Sequence, residues 1–232
     1  MNSRTIQSRI RKLGNPKDAG ILQWFFKTGP GDYGEGDIFV GVRVPVLRKL
    51  VKEFEAADEA TLEALLESGI HEDRALALFI LVRQFEKGNE LDRARIYRFY
   101  LDHTRRINNW DLVDLSAPQV VGGYLANRSR RPLYRLVRSR SLWERRIAIL
   151  ATFTFIRQDD FTDTLALADL LLGDHEDLIH KAVGWMLREI GKRDVTVLKA
   201  FLKFRCKTMP RTMLRYAIEK FPEPRRQAYL KA

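Results

Sequence analysis

Arg74-Ala75-Leu76-Ala77-Leu78, a cation followed by four apolar residues, is answered further along by Arg146-Ile147-Ala148-Ile149-Leu150. Setting Arg74, Trp110, Arg146 and Lys181 in register gives spacings of 36, 36 and 35 residues, and His71-Glu72-Asp73 recurs as His175-Glu176-Asp177. A period of that length marks an array of helix pairs, each too small to bury its apolar face alone and therefore stacked on its neighbours. The repeats are too degenerate for the tetratricopeptide pattern and read as HEAT-like. The expected architecture is an all-α helical-repeat solenoid, a single domain over residues 1–232 with a basic concave groove.

The rest of the chain agrees with that period. Ile6, Ile10 and Leu13 suggest a first short helix, and Ile21, Leu22, Phe25 and Phe26 a second. Helical patterns then pair as 45–55 with 59–68, 72–87 with 90–103, 109–125 with 131–139, 143–157 with 161–172, and 175–191 with 194–205. A last helix falls near 210–220. Strand-like alternation is absent. Gly29–Gly41 is the one long irregular stretch; its Gly34-Glu35-Gly36 lacks the third glycine and the strand–helix context of a dinucleotide fingerprint, and it reads as a structural loop. Trp24 and Trp143 are assigned to the core.

Charge narrows the function. The 232 residues carry a net charge of +11, which favours polyanionic partners, nucleic acid first among them. Eight arginines lie between Arg128 and Arg146 with Glu144 as the only acid, and a second basic stretch runs from Lys203 to Lys231. A solvated surface is the plain alternative. No run of 18 apolar residues is present, so no membrane span is expected. The N-terminus lacks the apolar core of a signal peptide. Cys206 stands alone, which excludes an intrachain disulfide and suggests a reducing, cytoplasmic compartment. Four histidines and one cysteine form no zinc pattern, so no metal is expected.

Candidate chemistry centres on Asn108-Asn109-Trp110-Asp111-Leu112-Val113-Asp114, followed by Pro118. Asn108 and Asn109 are good N-caps. A helix begun there carries Trp110 and Asp114, at i and i+4, on one face. Pro118 lacks an N–H and should kink or restart the helix. Register would line Trp110 and Asp114 with Arg146 and Arg157 of the next repeat, and with Lys181, Trp185, Arg188 and Lys192 of the one after. A cationic wall suits a phosphate backbone. An acid within it repels phosphate, and so implies that positive charge must be met there, such as an oxocarbenium-like sugar or an alkylated purine. Indole faces also favour cations. Against this, Trp110 could be core and Asp114 an ordinary ion-pair partner. No Ser/His/Asp or Cys/His set is evident.

These residues resemble the AlkD-like DNA alkylation repair glycosylases, HEAT-like repeat proteins, over nearly the whole chain. The resemblance is carried by Asn108–Asp114, by Trp143-Glu144-Arg145-Arg146-Ile147-Ala148-Ile149, by His180-Lys181-Ala182-Val183-Gly184-Trp185-Met186-Leu187-Arg188-Glu189, and by the loop Tyr33–Pro45. It implies a monofunctional DNA glycosylase that needs no cofactor or metal and excises cationic N3- and N7-alkylated purines from double-stranded DNA, leaving an abasic site. Asp114 would be the catalytic carboxylate, Trp110 and Trp185 would hold the lesion's deoxyribose, and Arg146 would contact the nearby backbone. Arg157, Lys181, Arg188 and Lys192 complete the expected DNA-binding set, on a monomer located with the nucleoid. The competing reading is a non-catalytic HEAT-like module binding nucleic acid or an acidic protein partner. A lysine Schiff-base lyase is a third, with no lysine specially placed for it.

Overall fold

The computed structural model describes residues 2–231. Among the described residues the chain is all-α. The sole β feature there is an isolated parallel bridge between Ile38 and Ile70. The chain divides into two compact units, Met1–Ser116 and Ala117–Ala232.

The first unit holds α1 (Ser3–Lys12), α2 (Pro16–Phe25), α3 (Val44–Phe54), α4 (Glu59–Leu66), α5 (His71–Lys87), α6 (Glu90–Asp102) and α7 (Trp110–Asp114). Short polar side chains start most of them. Asn2, Asn15, Asp58, Asn89 and Asn109 each accept from a first-turn N–H, satisfying donors that the helix itself leaves orphaned. α5 is the axis of this unit: α1, α3, α4, α6 and α7 all pack on it. Accordingly its first half is buried on every side, from His71 to Leu78.

Glycine is required most tightly at Gly41. Gly41 has φ of +85°, and a Cβ there would lie 2.0 Å from the Asn15 carbonyl oxygen. Only glycine at this position lets the loop lie so close to the start of α2.

In the second unit a π-helical turn (Pro118–Gly122) leads into α8 (Gly123–Leu125). α9 (Arg131–Leu136), α10 (Leu142–Ala151), α11 (Phe153–Ile156), α12 (Thr162–Leu170), α13 (Asp177–Arg193), α14 (Val195–Arg205), α15 (Arg211–Ala217) and α16 (Glu223–Lys231) follow. α13 plays the part that α5 plays in the first unit, with α10, α11, α12, α14 and α15 packed on it.

Four places differ from the periodicity reading. The pattern over 109–125 does not kink at Pro118 but breaks there, the restart that its missing N–H allowed, into α7, a π turn and α8. Ser116 Oγ donates back to Leu112 O at 2.5 Å, and Pro118 has no N–H to continue the α-helical ladder, so the next turn widens. The pattern over 143–157 breaks at buried Thr152, whose hydroxyl donates to Ile149 O at 2.7 Å. Trp24, assigned to the core, is instead 81 % exposed. α2 buries none of its side chains, because only Phe26, just past its end, turns inward. The terminal basic stretch also contains a helix, α16, that periodicity did not separate.

Candidate active site

α7 has five residues, too few for a helix to hold itself together in water. Its position is imposed from outside. Asn109 is fully buried in extended conformation, and its Oδ1 accepts from Trp110 N at 2.8 Å. Its Nδ2 donates to Asp37 Oδ2 at 3.1 Å. One turn of helix then points Leu112 and Val113 into the core and leaves Trp110, Asp111 and Asp114 half-buried. The indole and the carboxylate therefore share the accessible face of α7, as their spacing requires.

Asp111 ties the same helix to α5. Its Oδ2 lies 2.8 Å from His71 Nε2, while His71 Nδ1 lies 3.0 Å from Asp37 Oδ2. Arg74 Nη2 donates to Asp37 Oδ1 at 2.5 Å. Burial disfavours charge on His71, but Asp111 and Asp37 outweigh it, with Arg74 opposing, and its pKa rises to about 9. Burial likewise raises Asp37, and hydrogen bonds from His71 and Asn109 with the Arg74 charge reverse that, holding it below the ordinary carboxylate range.

Rings connect the same two places. Trp110 stacks on Phe26 (centroids 5.2 Å apart, 18° between planes), Phe26 on Phe39 (5.0 Å, 19°), and Phe39 on His71 (4.4 Å, 24°). Phe25 meets Trp110 edge-on at 6.0 Å. One face of the indole is thus occupied by protein. Near Asp114, buried Tyr100 has its hydroxyl 2.9 Å from Ser116 Oγ. Burial first, and then the Asp114 charge, raise that phenol against the Ser116 hydrogen bond, so it stays protonated.

In the second unit Trp185 is half-buried on α13. Its Nε1 donates to Glu189 Oε1 at 3.0 Å, and its ring is tilted against Phe153 at 5.9 Å. Exposed Arg157 lies over the Phe153 ring at 4.3 Å. Trp185, Phe153 and Arg157 therefore make one surface. Lys192 pairs with Glu189 at 2.7 Å, Lys181 with Asp177 at 2.7 Å, and Arg188 with Glu219. Arg146 stands apart: it is 4 % exposed, and its Nη1 donates to Leu178 O at 2.5 Å in the first turn of α13.

The arginine run sorts in the same way. Arg130 lies over the Phe155 ring and pairs with Asp160 and Asp163, and Arg145 pairs with Asp174 at 2.7 Å. Arg128, Arg131, Arg135, Arg138 and Arg140 are exposed.

Sequence reasoning did not find Asp37, His71 or Glu189. A signal for His71 existed: four consecutive ionisable residues, His71 to Arg74, directly precede the apolar run from Ala75 to Val82 in α5, and all four are buried. Among the described residues no group of three His, Cys, Asp or Glu side chains is arranged to hold a metal ion, and no helix is long and apolar enough to cross a membrane.

The fold is similar to that of a predicted DNA alkylation repair enzyme from Enterococcus faecalis, with a TM-score of 0.69 and 17 % identity over 90 % of this chain and 97 % of that one. It is also similar to AlkD2 from Streptococcus mutans, with a TM-score of 0.56 and 17 % identity over 89 % and 98 %. No curated protein matches the chain. The profile of a family described as DNA alkylation repair enzyme matches residues 6–221, and the chain belongs to that family.

Proposed function

We propose that the protein is a monofunctional DNA glycosylase that removes cationic N3- and N7-alkylated purines, such as 3-methyladenine and 7-methylguanine, from double-stranded DNA. The observation that carries this reading is the accessible pairing of Trp110 and Asp114 on α7, held in place by Asn109 and Asp111, in a member of a DNA alkylation repair family.

A purine that already bears a positive charge departs as a neutral base and needs no general acid. As the C1′–N bond breaks, its electron pair leaves with the base and charge develops on the sugar. Asp114 stabilises that cation and orients a water. The water oxygen then bonds C1′, and its proton passes to the carboxylate or to bulk water. At about 4 Å and an effective dielectric of roughly 20, opposite unit charges attract by about 4 kcal/mol. Realised only in the transition state, that is on the order of a thousandfold in rate.

Trp110 and Trp185 are assigned to the deoxyribose, offering indole faces to a cationic sugar. Arg157, Lys181, Arg188 and Lys192 are assigned to phosphates. Arg146, expected at the backbone beside the lesion, is buried against Leu178 O, so its part in this reading is to hold the first turn of α13 and no phosphate is assigned to it.

The test is to incubate the protein with methylated duplex DNA and separate the released bases by chromatography. Free 7-methylguanine from the wild type, with release about a thousandfold slower from Asp114→Asn and duplex binding retained, is the expected result. Strong salt-dependent binding without base release would instead identify a non-catalytic DNA-binding module.

A further inference from the structure

His71 has a carboxylate on each ring nitrogen, Asp37 on Nδ1 and Asp111 on Nε2. A neutral imidazole carries one N–H, so it would turn a lone pair on one of those carboxylates. Only the imidazolium donates to both. Its charge also balances the cluster: Asp37 and Asp111 are opposed by His71 and Arg74, giving zero net charge in a buried place. With neutral His71 the group is left one negative charge in excess, which burial penalises heavily. The groups facing the ring are Asp37 from the Gly29–Gly41 loop, Asp111 from α7 and Arg74 from its own helix; Phe39 and Phe26 lie against its plane.

The second half of the argument is what hangs from this cluster. α7 cannot hold itself, and two of its anchors are the Asp111–His71 bond and the Asn109–Asp37 bond. The ring column Trp110–Phe26–Phe39–His71 joins the same imidazole to the indole by a second route. We propose that His71, as the imidazolium, is a positioning residue that sets the register of Trp110 and Asp114 by pinning Asp111 to Asp37, and that deprotonation releases the pin. The proposal rests on reading the Trp110–Asp114 face as the reacting surface. The elevated pKa of His71, about 9, is consistent with the ring being charged at neutral pH. The accessible face would then lose its geometry above that pH while the helical core of the unit stays intact.

Three proteins decide the matter: the wild type, His71→Gln and Asp111→Asn. Single-turnover release of 7-methylguanine is followed from pH 6.5 to 9.5, with binding to unmodified duplex measured alongside. Wild-type release is expected to hold steady to about pH 8 and to fall about tenfold as the pH passes about 9. His71→Gln should be slower at pH 7.5 by about tenfold and should lose the basic limb. Asp111→Asn keeps an acceptor but removes a charge, so the ring loses its proton more easily and the limb should move to lower pH. Duplex binding should change less than about twofold in either variant. Ring-nitrogen NMR of the full chain should show both His71 nitrogens protonated at pH 8.

A basic limb that persists in His71→Gln, a wild-type rate in that variant, or a neutral ring at pH 8 would overturn the proposal. If His71→Gln does not fold, the direction of the limb in Asp111→Asn decides. If the wild type releases no base, the enzymatic reading fails separately. The pin is then judged by ring-nitrogen NMR and by the Trp110 emission, taken as the difference between wild type and Trp110→Phe. A doubly protonated ring with emission that changes across pH 9 supports it, and a neutral ring or a constant emission overturns it.

Discussion

Glu189 holds the indole of Trp185 through its N–H at 3.0 Å, one helical turn further along α13. The same carboxylate takes Lys192 at 2.7 Å, and the Arg188 guanidinium lies 3.7 Å away. A tryptophan meant to lie against a sugar must keep one rotamer, and this bond selects it. Removing the acceptor in Glu189→Ala is expected to free the ring and to slow base release about tenfold, with less than about 1.5 kcal/mol lost in stability. Glu189→Gln keeps an oxygen in reach of the indole and should recover most of the rate. The pair of variants, compared by single-turnover release and by thermal melting, separates orientation of Trp185 from support of α13. Equal rates in all three proteins would remove the bond from the mechanism.

The arginines between Arg128 and Arg146 should divide into two groups by behaviour. Arg145 Nε donates to Asp174, whose side chain is only 7 % exposed, at 2.7 Å, and its Nη1 donates to Ser139 O and Arg140 O at 3.0 Å. Arg145→Ala strands a desolvated carboxylate, a loss on the order of 3 kcal/mol, and should leave the salt dependence of DNA binding unaltered. Arg131 is exposed, and Arg157 is exposed over a ring. If they meet phosphates, alanine at either should lower the slope of log K against log salt by about 1 with little change in melting temperature. Titrations at several salt concentrations check both halves.

What could be read from the sequence depended on which property carried the information. Helical period and repeat spacing are written in apolar positions, and the all-α pair architecture followed from them. Trp110 and Asp114 reach the same face of α7 because an i, i+4 relation is local. The supports were not local: Asp37 reaches Asn109 across 72 residues and His71 across 34. The recurrence of His-Glu-Asp also misled. His71 is the first residue of α5 and buried, whereas His175, Glu176 and Asp177 are exposed, with α13 beginning only at Asp177. Trp24 shows the converse limit, since an apolar stripe does not say whether anything covers it.

Glu72 attaches the loop to α5 beside Asp37, by a different set of bonds. Its carboxylate is 2 % exposed and accepts from three successive backbone N–H groups, Val40 and Val42 at 3.1 Å and Gly41 at 2.8 Å. Nothing else of its charge and length supplies one acceptor to three converging donors. Glu72→Gln substitutes a donor-bearing amide for part of that acceptor, and a loss of about 2–4 kcal/mol is expected by denaturant titration. Gly41→Ala should be at least as damaging, because the added methyl would meet the Asn15 carbonyl oxygen while φ stays positive. A fully stable Gly41→Ala protein would contradict this packing of the loop.

His71 also makes a prediction about stability that is independent of any reaction. Its pKa is about 9 in the folded protein, against about 6.5 in an unfolded chain. The folded state therefore binds the proton more tightly, and the stabilisation is complete below about pH 6.5 and lost as the pH rises through 9. The interval between the two values corresponds to on the order of 3 kcal/mol. Asp37 runs the other way: held below its ordinary value, it contributes above about pH 4 and is lost in stronger acid. Between pH 7 and 10 only the His71 limb is in play within this cluster. Wild-type melting temperature should fall by about 10 °C across that interval. His71→Gln should begin lower and stay nearly flat, because the excess negative charge is then present at every pH. A wild-type curve that is level from pH 7 to 10 would mean that the imidazolium contributes nothing to the hold on α7.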